Sequence, residues 1–246
     1  MNRIHDMGGR YGYGKIPIPR NQNNDILDDE PVFKYPWHSK TLAITLAVGA
    51  LGEWNLDTSR HSRECLPPKD YMNFSYYEKW LAALTNLMVE KNLITVNEIK
   101  KFVQLLKTKE YTLPLSENFE LDSRTWLSKD VINGIMAGGP SIRQTDIKPK
   151  YKIGDKIKTV GCNPNKDIPG GHTRLPSYVM SKIGIISSYC GTHVFPDKNA
   201  HNYGETPLPV YTVEFRCSEL WSSASENTDD IICLDLWEPY LKNLTL

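Results

Sequence analysis

Residues 75–92 read SYYEKWLAALTNLMVEKN and residues 210–216 read VYTVEFR, and the two stretches obey different periods. In the first, Tyr76, Tyr77, Trp80, Leu81, Leu84, Leu87 and Met88 fall on one face of an α-helix. Ser75 and Glu78 form a capping box at its start: the hydroxyl takes an orphan N–H and the carboxylate reaches back. Asn92 ends it. In the second stretch apolar and polar residues alternate with a period of two, the pattern of a half-buried strand. A chain holding both patterns in separate halves is expected to be α+β.

The helical texture extends from about Trp37 to Ala137. Ser39 is placed to cap a helix through LAITLAVGAL, and the apolar run Thr41–Leu51 fits a buried helix. A short helix is expected from Leu56 to Glu64, with Asp57 or Thr58 near its start. Thr95 and Glu98 form a second capping box, opening IKKFVQLL, and Pro114 stops that pattern. Trp126, Leu127, Val131, Ile132 and Ile135 predict one more helix, ended by Gly138-Gly139-Pro140. From Lys150 the period changes to two. Strands are expected at 151–153, 156–160, 182–186, 210–216 and 231–237. Turns are expected at Gly154-Asp155, Asn163-Pro164, Gly170-Gly171 and Pro196-Asp197. Short strands with long loops predict a small closed barrel or roll of SH3-like size. The first 36 residues are rich in Gly, Pro, Asn and Asp yet hold Ile4, Met7, Tyr11, Tyr13, Ile16 and Ile18. An extended arm lying on another surface accounts for both features better than a flexible tail. The expected divisions are an arm over 1–36, a helical domain over 37–140 and an SH3-like β-barrel domain over 141–246.

Twenty-nine Lys and Arg balance twenty-nine Asp and Glu, which argues against a general nucleic-acid or membrane-surface binder. The lysines from 148 to 158 carry no repeated aromatic interleaving of the kind that marks a nucleic-acid surface and read as a solvated strand face. No apolar run reaches the roughly 18–20 residues of a bilayer span, and MNRIHDMGGRYGYG has no signal-type apolar core. The expected address is the cytoplasm. The five cysteines, at 65, 162, 190, 217 and 233, form no CxxC pair, so they read as reduced, packed thiols.

No self-contained active site is legible. There is no phosphate loop, no G-x-S-x-G and no HExxH. His61 lies near Glu64 and Cys65 on one short helix, and the other histidines are scattered. Two arginines stand out by context. Arg60 sits in NLDTSRHSRE, and Arg174 sits in GGHTRLPSYV beside a glycine pair. Each is a fixed fork of donors suited to a carboxylate, a phosphate or a sulfur oxyacid; each also fits an ordinary salt bridge.

These segments together resemble the β subunit of nitrile hydratase. The resemblance begins with MNRIHDMGGRYGYGKI and continues through Glu30-Pro-Val-Phe33 with Trp37. Asn55-Leu-Asp57 with Arg60-His61 is similar to the family's D-x-x-R-[HF] helix, and Tyr76-Tyr77 with Trp80 to its Y-Y-x-x-W helix. The second half carries Tyr151-Lys-Ile-Gly-Asp155, then Gly171-His-Thr-Arg-Leu-Pro176 with Tyr178, then Lys182-Ile-Gly184. It closes with Tyr211-Thr-Val-Glu-Phe215, Glu219-Leu-Trp221 and Asp235-Leu-Trp-Glu-Pro-Tyr240. More than eight short motifs in order, over nearly the full length, are specific. Met180-Ser-Lys182 stands where many members read R-G-K, and both the 50–55 loop and the acidic 21–29 stretch differ from shorter members.

The resemblance implies hydration of a small nitrile to an amide at a low-spin Co(III) or Fe(III) centre. It implies that the metal is bound by an α subunit, through a C-x-x-C-S-C segment with two oxidised cysteines. This chain would bind no metal itself. It implies an obligate αβ heterodimer, doubled or not to α2β2, with no nucleic acid and no membrane. It assigns Arg60 and Arg174 to the oxygens of the oxidised cysteines and Tyr76 to the site near a serine ligand of the metal. Leu56, Trp80 and Tyr77 would shape the substrate pocket; the plain alternative for Trp80 and the tyrosines is helix packing. Rival readings are a thiocyanate hydrolase-type component, a non-catalytic activator or metallochaperone, and a free-standing SH3-like adaptor. The unsplit chain, the arm and Arg60 argue against these in turn.

Overall fold

A computed structural model of the chain describes residues 31–108, 129–161, 172–222 and 227–244. Residues 1–30 of the expected arm, the Pro114 stop and the turns at 163–164 and 170–171 lie outside the described residues. The chain divides into two compact units that change over between Gly139 and Pro140.

The helical unit contains α1 (Pro36–Gly49), α2 (Leu56–Glu64), α3 (Pro68–Asn73), α4 (Tyr76–Glu90), α5 (Val96–Lys107) and α6 (Lys129–Ala137). Both expected capping boxes are present, Ser75 with Glu78 on α4 and Thr95 with Glu98 on α5. α4 stops at Glu90, and Asn92 takes a left-handed φ of 57° just beyond it, a conformation that asparagine tolerates. One local expectation is corrected: α1 starts at Pro36, not after Ser39, because proline's fixed φ suits the first helical position; the Ser39 hydroxyl instead donates to the Pro36 carbonyl. α2 spans Leu56–Glu64 as expected, with Asp57 and Thr58 in its first turn, and its cap is Asn55, whose side chain accepts from the Thr58 N–H. α3 had no sequence signal beyond its leading Pro67-Pro68.

α4 is the centre of this unit, with α1 and α2 packed against it. Trp54, Leu84 and Leu87 are its buried cluster, flanked by Val48 and Met88. α1 does not bury its apolar run as expected. Its inward residues are His38, Thr41 and Thr45, while Ile44 is 48% exposed. The threonine hydroxyls satisfy themselves by donating to Trp37 and Thr41 carbonyls one turn back, so these two can be buried at little cost, while the His38 ring nitrogens on the same face have no hydrogen-bond partner among the described residues. α5 carries no buried residue, and Val96, Phe102, Val103 and Leu106 stand exposed on it.

The second unit is built on an antiparallel sheet of β1 (Lys156–Thr159), β2 (Ile183–His193), β3 (Leu208–Arg216), β4 (Ile231–Trp237) and β5 (Leu241–Asn243). The order is β4-β3-β2-β1-β5. Four of the expected strands are present. Residues 151–153 instead form the approach to a turn, with the Tyr151 N–H and the Lys150 N–H both donating to the Tyr211 hydroxyl. The fifth strand is the unpredicted β5. The Pro196-Asp197 turn opens a short helix, α7 (Pro196–Asn199), and α8 (Cys217–Trp221) follows β3. β2 and β3 slip register between Tyr189 and Thr192, where Gly191 has a φ of 91° that a side chain would strain. Among the described residues β4 and β5 each have one neighbour, so the sheet runs open from edge to edge. The structure therefore shows a mixed helix-and-sheet protein with a helical N-terminal half and a five-stranded antiparallel C-terminal half.

The sheet's core holds Ile157, Leu175, Val179, Ile186, Tyr211, Val213, Phe215, Leu236 and Tyr240, all at most 1% exposed. Gly184 lets β2 lie directly on this core. A Cβ there would come within 2.5 Å of Val213 Cγ1 and 2.9 Å of Phe215 Cε1. Overpacking of a filled core costs about 1–3 kcal/mol. Gly184→Ala should lower the unfolding free energy by that much, read as a lower urea midpoint at an unchanged slope; an unaltered midpoint would show that the core has room to yield.

Candidate functional site

In the helical unit, α2 and α4 carry five of the six residues singled out in the sequence. Leu56 and Arg60 lie on α2, and Tyr76, Tyr77 and Trp80 lie on the first turns of α4. Leu56 and Tyr76 are each 63% exposed, whereas Tyr77 is buried and Trp80 half-buried. The Tyr76 ring meets Tyr77 edge-on at 5.2 Å and Trp80 at 5.5 Å between centroids. Tyr77 is enclosed further by Phe33 and His38, at 5.7 and 4.7 Å. Tyr77 is thus the structural member of this group. Tyr76 and Leu56 are the members that face outward.

Arg60 is held from below. Its Nη1 donates to Asp57 Oδ1 at 2.9 Å, one turn back on α2. The Asp57 side chain is 6% exposed and the Arg60 side chain 40%. One arm of the guanidinium is therefore fixed by a buried carboxylate. The remaining donors of Arg60 have no partner among the described residues. On the same helix, His61 Nδ1 lies 3.4 Å from Glu64 Oε2, and its Nε2 lies 3.4 Å from Cys65 Sγ. Burial pulls the His61 pKa down, but the hydrogen bonds to Cys65 and Glu64 outweigh it and raise the value to about 9. His61 therefore adds a second positive group beside Arg60. The sequence showed these residues close along the chain, and the helix brings them to one face.

Arg174 belongs to the sheet unit. Its side chain is exposed and makes no hydrogen bond among the described residues. Its backbone, in contrast, is pinned. The Arg174 N–H donates to the buried Tyr240 hydroxyl at 3.1 Å, and the Thr173 hydroxyl donates to the same oxygen at 3.3 Å. The Tyr240 hydroxyl in turn donates to Asp197 Oδ1. The His172 N–H donates to His201 Nε2 at 3.2 Å. His172, Thr173, Asp197 and Tyr240 are all at most 1% exposed. An exposed guanidinium thus stands on a main chain pinned by hydrogen bonds. Sequence reading did not assign Tyr240, Asp197, Thr173 or His201 to this arrangement; the only signals were their places in the Asp235–Tyr240 and Pro196-Asp197 motifs.

Asp197 gives this anchor a pH signature. Burial drives its pKa up to about 6, against the opposing hydrogen bond from Tyr240 and the charge of His172. The folded chain therefore keeps a proton that the unfolded chain releases between about pH 4 and 6, and stability falls as pH rises through that window. The full effect is on the order of 3 kcal/mol. Asp197→Asn cannot titrate and should flatten the loss. Urea unfolding of both proteins at pH 4.5 and 6.5 tests this, and parallel pH slopes would show that the carboxyl is ionised throughout.

The comparisons with known proteins agree over the whole length. A family model described as nitrile hydratase beta subunit, N-terminal, matches residues 1–125. One described as nitrile hydratase beta subunit, C-terminal, matches residues 140–243. The nitrile hydratase subunit beta of Pseudomonas putida is 36% identical over 242 residues, covering 98% of this chain and 99% of that one. The low-molecular weight cobalt-containing nitrile hydratase subunit beta of Rhodococcus rhodochrous is 34% identical, covering 98% of this chain and 99% of that one. The thiocyanate hydrolase subunit beta of Thiobacillus thioparus is 23% identical over only 41% of this chain and 58% of that one. With both halves matched in order and relatives above 30% identity end to end, the chain belongs to the nitrile hydratase β-subunit family.

Proposed function

We propose that this chain builds one side of a nitrile-hydrating site whose metal is carried by an α subunit. Arg60 is the observation that carries the reading: a guanidinium fixed at one arm by a buried Asp57, with its other donors directed at nothing within the described residues. That is the state expected of a donor that waits for an oxyanion on another chain. Arg174 repeats it, with an exposed side chain on a backbone locked by Tyr240. The resident metal, Co(III) or Fe(III), would supply Lewis acidity to the nitrile or the attacking water when bound. The cobalt-containing names of two relatives favour a metal of this kind without choosing for this chain.

This chain's own residues would do three things. Arg60 and Arg174 hold the oxygens of the partner's oxidised cysteines, which keeps the ligand set in place. Tyr76, exposed at the first turn of α4, presents its hydroxyl to orient a ligand or the attacking water. Leu56 and Trp80, with Tyr77 behind them, shape the pocket for the nitrile's side chain. The exposed apolar residues Ile44, Leu56, Phe102 and Leu106 support a large covered interface, as an obligate αβ heterodimer needs. The arm over 1–36 would wrap the partner, and the five-stranded half would be of SH3-like barrel type. No helix among the described residues is long and apolar enough to cross a membrane, which fits the cytoplasmic address expected from sequence.

Co-expression with a partner bearing C-x-x-C-S-C should give an equimolar, metal-containing complex that forms amide from a simple nitrile. Amide formation by this chain alone would sink the reading. In the complex, Arg60→Ala or Arg174→Ala removes one side of a buried charge pair, a loss of roughly 3–5 kcal/mol. The turnover of each should fall by more than about tenfold, and Arg→Lys should not restore it because lysine lacks the planar fork. Full turnover in both alanine variants would return the two arginines to ordinary surface roles.

A further inference from the structure

We infer that Arg63 is a positioning residue that clamps the Trp80 indole and thereby makes aromatic nitriles the preferred substrate class. The inference rests on the proposed role of Trp80 in the pocket wall. Arg63 stands one turn after Arg60 on α2, and α2 packs on α4. Its guanidinium carbon lies 4.1 Å from the centre of the Trp80 ring, well inside the cation–π range. Its Nη2 donates to the Ser59 hydroxyl at 3.2 Å, which ties the planar group to its own helix while it covers the indole. From α4, Tyr76 and Tyr77 reach the same indole at 5.5 and 6.3 Å between centroids.

Among the described residues no ion pair explains this arginine: its Nε is buried and has no acceptor, and its one hydrogen bond is to a neutral hydroxyl. Burial lowers its pKa from the ordinary value and the neighbouring Arg60 adds to the fall, while Tyr76 and Glu64 oppose it. The π face beneath the guanidinium offsets part of the cost of burying it. The consequence is a tryptophan restrained by ring contacts from Arg63, Tyr76 and Tyr77. A ring restrained before binding loses less conformational freedom when a flat ligand stacks against it. With Tyr76 exposed alongside, the restrained indole offers a π surface that a nitrile bearing an aromatic ring can use. A short aliphatic nitrile has nothing to lay on it.

The test uses the complete αβ enzyme with benzonitrile and propionitrile. Arg63→Met keeps bulk over the indole and removes the cation. The KM for benzonitrile should rise about fivefold, the factor a contact of cation–π strength gives, and the KM for propionitrile should move less than about twofold. Arg63→Lys, which keeps charge without the plane, should fall between; it serves as the second variant if Arg63→Met does not assemble with its partner. Trp80→Leu should abolish the aromatic preference, and adding Arg63→Met to it should change nothing more. If Trp80→Leu alters selectivity while Arg63→Met and Arg63→Lys both keep wild-type KM values, the clamp is wrong and the pocket reading stands. If Trp80→Leu leaves selectivity unchanged, the pocket reading fails and the inference falls with it.

Discussion

A buried carboxyl stands under each of the two arginines. Asp57 bonds Arg60 directly, and Asp197 holds the Tyr240 hydroxyl that receives the Arg174 N–H. Under the proposed function the arrangement answers a conflict inherent in donor groups that would serve another chain. A guanidinium left unsatisfied must stay near water, yet to meet a fixed target it must not wander. Anchoring one end on a buried acid and leaving the rest open resolves both demands. The two units do this differently. α2 fixes the side chain itself, through the i, i+3 geometry of a helix. The sheet unit fixes the main chain and leaves the side chain exposed.

The fold around each arginine supplies that anchoring. α2 is only nine residues long and strongly polar, too short and too wet to be stable alone, and it is held by a side-chain cap from Asn55 and by packing on α4. The His172–Leu175 segment has no regular structure, yet His172, Thr173 and Leu175 are fully buried beneath it. Its backbone groups are met by Tyr240, His201 and the Thr173 hydroxyl, which accepts from the Leu175 N–H. An irregular segment can be buried only when its polar groups are met one by one. α1 and α5 leave apolar residues exposed, among them Ile44, Phe102 and Leu106, and the proposed function would cover them with the partner subunit.

The helices were legible where a local rule sufficed. The capping boxes at Ser75 and Thr95 bond neighbours three residues away, so sequence alone fixes them. α1 shows where locality misleads. Its sequence is apolar, but its buried face is the threonine face, because Thr41 and Thr45 can satisfy their hydroxyls on their own helix. The strands were legible as a set. Their edges were not: residues 151–153 alternate properly yet give their N–H groups to Tyr211, and β5 is too short to show a period. Closure into a barrel was expected from strand number, whereas the described strands pair only as an open sheet.

The sequence by itself determined the family and the α+β character, because these rest on residue types at fixed short spacings, and it singled out Arg60 and Arg174 only as candidates. Tertiary structure decided what holds and surrounds those arginines. Asp197 and Tyr240 lie 43 residues apart, and Tyr240 lies 66 from Arg174. Arg63 reaches Trp80 from a different helix, inside a motif whose pattern gives that position no meaning. Such pairs are set by where packed elements meet, and no periodicity along the chain encodes that meeting.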